Sequence, residues 1–120
     1  MQLTTVNHFN TKFSVSLPDP EKVDVVRNVE FTAKFKCPPQ SKDSIQKLRD
    51  LQEEEGSYGF LEKILIDIES NLNDLKTTDE NGEPITLLEC FKQNMILSNY
   101  AIGAYWDVVN KGLRGKNSKR

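Results

Sequence analysis

The hydrophobic pattern of this chain changes period once, and the change falls at Pro38-Pro39. Before that pair the chain alternates. Phe13, Val15 and Leu17 fall on one side of Lys12–Leu17, with Lys12, Ser14 and Ser16 on the other, the period-two signature of a half-buried strand. Pro18-Asp19-Pro20 ends that run, because two prolines so close leave only turn or extended geometry. Alternation resumes from Val23 to Lys36, with Val29, Phe31, Ala33 and Phe35 opposite Glu30, Thr32, Lys34 and Lys36. Asn28 is expected to interrupt it as a turn or bulge. Residues 1–10 carry no period and read as a frayed end or a short first strand.

After Pro39 the spacing becomes helical. Ser41 suits an N-cap and Asp43 the positive end of a first helix, in which Ile45, Leu48 and Leu51 recur until Gly56. Leu61, Ile64, Leu65 and Ile68 fit i, i+3, i+4, i+7 and predict a second helix. Residues 70–85 are polar, with Asn81-Gly82 as the tightest turn signal. Thr86 and Glu89 then form a capping box, each side chain expected on a backbone N–H, with Leu88, Phe91, Met95 and Ile96 as the apolar side of a third helix. A fourth runs from about Ser98 or Asn99 to Asn110, carrying Ile102, Tyr105, Trp106 and Val109, and Gly112 suits its C-terminal cap. The expected fold is α+β: a small N-terminal antiparallel β segment followed by about four helices packed on one face. Residues 1–112 form one domain in this reading, with Phe31, Phe35, Leu61, Ile64, Leu65, Phe91, Tyr105 and Trp106 in its core. Residues 113–120 form a mobile basic tail.

Charge divides the same way. The last ten residues hold five basic side chains and no acid, while the first 110 hold the other 11 basic and all 18 acidic residues. An acidic body with a basic tail argues against a nucleic-acid-binding core. No apolar run reaches the roughly 18 residues of a bilayer span, and the N-terminal residues carry no export signature, so a cytosolic setting is expected. There Cys37 and Cys90 read as two reduced, semi-buried thiols, too few for a zinc cluster.

Catalytic chemistry finds little to use. His8 is the single histidine and lies in the least patterned segment, a poor place for a positioned base. Gly56 and Gly59 lack the lysine that a phosphate cradle requires. Setting Gly82 at position six of a calcium loop puts Thr77 at position one and Leu88 where a bidentate Glu must close the shell, so Asp79–Glu83 reads as an acidic surface turn. Glu53, Glu54 and Glu55 splay by about 100° each on a regular helix and cannot converge on one ion. Tyr100, Tyr105 and Trp106 sit among aliphatics at helical spacing, which favours packing over base stacking. No enzyme, cofactor or metal is expected. The basic residues Lys111, Arg114 and Lys116, with the aliphatic Leu113 among them, are the candidate partner-binding set.

The segment Val29–Lys36, the acidic loop Asp79–Ile85 before a capped helix, and Ala104-Tyr105-Trp106-Asp107 followed by Gly112, Lys116 and Asn117 together resemble the small tail assembly chaperones of tailed bacteriophages and prophages. The resemblance covers residues 29–117. Members often carry a tryptophan shortly before the acidic loop; Leu72 or Leu75 stands there in this chain. It implies a non-enzymatic assembly factor of the host cytoplasm. Such a factor transiently binds the tape measure protein, has the major tail protein as a further candidate partner, and is absent from the finished virion. The alternatives are a structural tail or neck component kept in the virion, and a small adaptor that sets its tail on DNA.

Overall fold

The computed structural model describes residues 8–19, 21–37, 42–72 and 75–118, apart from the side chains of residues 42 and 112–118. The expected cap at Ser41 lies outside the described residues. The elements run β1 (His8–Pro18), β2 (Val26–Lys36), α1 (Lys42–Ile64), β3 (Leu65–Ser70), α2 (Leu87–Gln93) and α3 (Met95–Ser118). The strands make one antiparallel sheet in the order β1-β2-β3, so the fold is α+β.

The alternation read in the sequence becomes the two faces of the sheet. Val29, Phe31, Ala33 and Phe35 of β2 are buried with Val15 of β1, while Glu30 and Lys36 face solvent. β1 and β2 pair without a break from His8↔Lys36 to Pro18↔Val26. Asn28 therefore does not interrupt β2; it pairs with Ser16, whose hydroxyl donates to its side-chain oxygen (2.8 Å). His8 begins β1 and is exposed. The hairpin turns through Asp24, whose positive φ of 62° lies in the left-handed region that Asp tolerates better than most residues.

Among the described residues there are three helical elements rather than about four. The two segments expected on either side of Gly56 are both helical and run on as α1, with Gly56 as a non-helical kink between them (φ 75°, ψ −178°). The second expected helix also ends early, at Ile64, and Leu65–Ser70 is a strand. The cause is a bulge. Phe35 pairs with Leu65 but Lys34 pairs with Asp67, so Ile66 is an extra residue in β3. That insertion puts Leu65 and Ile68 on the same buried face, three apart, and three apart is also a helical spacing.

A helix layer covers the inner sheet face through aromatic contacts. Phe91 of α2 meets Phe31 edge-on (centroids 4.8 Å apart), and Tyr105 of α3 meets Phe35 (5.2 Å) and Phe60 (5.8 Å). Burial pushes the Tyr105 hydroxyl up to about 12. Trp106, expected in the core, is only half-buried. Its ring stacks on Phe60, its Nε1 donates to Gln52 Oε1 (2.7 Å), and the Arg49 guanidinium lies 4.6 Å over the ring centroid. Indole needs a partner for its N–H, and the rim of α1 supplies one.

α3 runs past Asn110 and Gly112 to Ser118. A glycine inside a helix costs about 1 kcal/mol relative to alanine and does not by itself end it. Whether residues 113–120 are mobile falls beyond the described side chains.

Candidate functional site

Asn94 shapes an exposed apolar surface at the start of α3. The third and fourth helices of the sequence reading meet there, but the break falls one residue before Met95. Asn94 is non-helical (φ −86°, ψ 116°), its N–H closes α2 on Cys90 O, and its side-chain oxygen accepts from the N–H groups of Ile96 (3.0 Å) and Leu97 (3.1 Å). One residue thus ends α2 and caps α3. Ser98, fully buried, secures the corner: its hydroxyl lies 2.5 Å from Phe91 O and 3.2 Å from Lys92 O, two carbonyls at the end of α2.

This bend corrects the expectation for Met95 and Ile96. Had α2 continued, both would have extended its apolar side. The break turns them outward, leaving Met95 72%, Ile96 63% and Tyr100 40% exposed. Ile96, Asn99 and Tyr100 line an open groove of about 340 Å³ along the first turns of α3. Ile96 and Tyr100, four apart on one helix face, form a short apolar strip, with Met95 exposed at its edge.

Asn94 also lines a more polar cleft of about 450 Å³, together with Tyr58, Asp79, Glu80, Cys90 and Gln93, among others. Its outer wall is the acidic turn. Asp79 holds that turn through its side chain, which accepts from Asn81 N–H (2.9 Å) and Glu83 N–H (3.0 Å), while Gly82 takes a φ of 83°. Thr78 and Pro84 bridge its base. The carboxylate of Asp79 is thereby committed to backbone, and no group of three or more His, Cys, Asp or Glu side chains converges among the described residues.

On the opposite wall Tyr58 donates to Glu89 Oε1 (2.6 Å), which also accepts from Gln93 Nε2 (3.2 Å). The Tyr58 hydrogen bond, with Gln93 behind it, lowers the Glu89 carboxyl, and the same bond raises the Tyr58 hydroxyl. The expected capping box is therefore half formed. Thr86 accepts from Glu89 N–H (3.1 Å), but the Glu89 carboxylate serves Tyr58 and Gln93. Burial pushes the Cys90 thiol up, which keeps it protonated and a weak nucleophile.

Of the candidate set from the sequence, only Lys111 has a described side chain. Lys111 pairs with Asp107 on exposed α3 (3.2 Å), and the side chains of Leu113, Arg114 and Lys116 lie outside the described residues. Sequence reasoning missed the strip because Met95 and Ile96 fit the stripe of the preceding helix. The available signal was Asn94 itself, an N-cap residue type set three positions after Phe91.

No helix among the described residues is long and apolar enough to cross a membrane. No protein-family model, no curated protein and no solved structure matches this chain.

Proposed function

We infer that this protein is a non-enzymatic tail assembly chaperone of a bacteriophage or prophage, acting in the host cytoplasm on the tape measure protein and leaving before the virion is complete. The observation that carries the reading is the set of outward-facing residues Met95, Ile96 and Tyr100 at the start of α3, which follows directly on Asn94, a residue of the cleft walled by the acidic turn. It adds to the resemblance over residues 29–117. A client helix with an apolar stripe lays that stripe on such a surface, and a basic flank on the client is drawn to the exposed Glu80 and Glu83. A small interface of this kind forms quickly and releases readily, as a transient assembly factor requires.

Co-expression with the tape measure protein tests it. The wild-type chain should raise the soluble fraction of the client and be recovered with it. The variant Ile96→Asp/Tyr100→Ser should lose most of that rescue while melting within about 0.5 kcal/mol of wild type, since both residues are exposed. Stoichiometric amounts of this chain in purified particles would instead make it a structural tail component.

A further inference from the structure

The two edges of the sheet are built differently. β3 is short, carries the Ile66 bulge, and has an N–H occupied by a side chain, with Asp67 Oδ1 accepting from Ile68 N–H (2.8 Å). These are devices by which natural sheets close an edge to further pairing. β1, at the other edge, has 11 residues in unbroken register and no strand on its outer side among the described residues. At about 3.3 Å per residue it offers more than 30 Å of unpaired backbone donors and acceptors. Phe9, Phe13 and Leu17 stand along it only half-buried.

We propose that β1 is a homodimer edge, pairing antiparallel with β1 of a second copy about a two-fold axis at Phe13 to make a continuous six-stranded sheet. The sequence of the strand selects this occupant. About Phe13 its half-buried apolar residues are symmetric, so on the core side Phe13 faces the partner's Phe13 and Phe9 faces the partner's Leu17, while the buried Val15 faces the partner's Thr11. On the solvent side Lys12 faces the partner's Ser14, and Asn10 faces the partner's Ser16. Lys12 is the only Lys, Arg, Asp or Glu of β1, and it stands opposite the partner's Ser14. The two Lys12 side chains are diagonal neighbours on the wet face, where solvent screens them. The interface is isologous, and it closes at two copies because each subunit's other edge is the guarded one.

Ser14 gives a test whose sign separates association from folding. Within one chain Ser14 stands opposite Glu30; across the proposed axis it stands opposite the partner's Lys12. Ser14→Glu should therefore destabilise the fold while tightening the dimer, and Ser14→Lys should do the reverse. Each dimer holds two such pairs, so the dissociation constant should move roughly 2- to 30-fold in each direction. Sedimentation equilibrium of the full chain, from micromolar to millimolar concentration, reads the association; thermal melting at dilution reads the fold. A monomer at every concentration for both wild type and Ser14→Glu overturns the proposal. So does a dimer whose affinity ignores both substitutions or follows the order of melting temperatures.

Discussion

Gly56 and Asn94 both interrupt a helix, and they do so by different means with different results. At Gly56 the backbone alone makes the bend, in a conformation with φ 75° and ψ −178° that is essentially restricted to glycine. The apolar face survives the bend: Ile45 before it and Phe60, Leu61 and Ile64 after it are all buried in one core. At Asn94 a side chain makes the break by capping the next helix, and the apolar face is split. Phe91 before it is buried and Met95 and Ile96 after it are exposed. A bend that preserves facing serves packing; one that changes facing creates a surface.

The contrast can be broken at each site. Gly56→Ala carries the largest expected effect, a loss of about 1–3 kcal/mol. A Cβ there would touch nothing within 4 Å, so the loss is backbone strain alone, offset by the smaller unfolded-state entropy of alanine. A melt unchanged from wild type would show that the bend is not held by glycine. Ser98→Ala comes next. It leaves the carbonyls of Phe91 and Lys92 without that hydroxyl in a buried corner, at a cost of about 1–2 kcal/mol by chemical denaturation.

Asn94→Ala should cost about 1 kcal/mol, the worth of a helix cap. Its more telling readout is amide chemical shifts. If the side chain sets the break, residues 93–97 should move toward continuous helix. Tyr58→Phe has the smallest effect and concerns the wall beside the corner. Glu89 has a lowered folded value, so its contribution is present above its ordinary value of 4.5 and lost as pH falls below it. The melting difference between wild type and Tyr58→Phe should thus shrink on acidification.

What the sequence made legible follows from how each element earns its burial. β1 and β2 are wet on one face, so the alternation of Val29, Phe31, Ala33 and Phe35 carried their identity unambiguously. β3 hid because the bulge at Ile66 converts its inward spacing from two to three, and Leu65 and Ile68 then complete a helical set begun by Leu61 and Ile64. The core residues from Phe31 to Tyr105 were legible, whereas Trp106 was overcounted: periodicity reports facing, and its half-burial depends on Gln52 and Arg49 reaching it from α1. The apolar strip was the least legible part. Its exposure depends on one capping residue rather than on any pattern within Met95, Ile96 and Tyr100.

The stacking of Phe9 on Tyr105 joins the first strand to the last helix. Its consequence is temporal. The β1–β2 hairpin is complete once Lys36 has been made, but the ring that closes over Phe9 and Phe35 arrives only with Tyr105. At typical synthesis rates that interval lasts roughly 3–14 s, far longer than the microseconds in which a hairpin forms. For those seconds the nascent chain presents Val29, Phe31 and Phe35 to the ribosome's surroundings, and its own solubility rests on the polar face of the same strands.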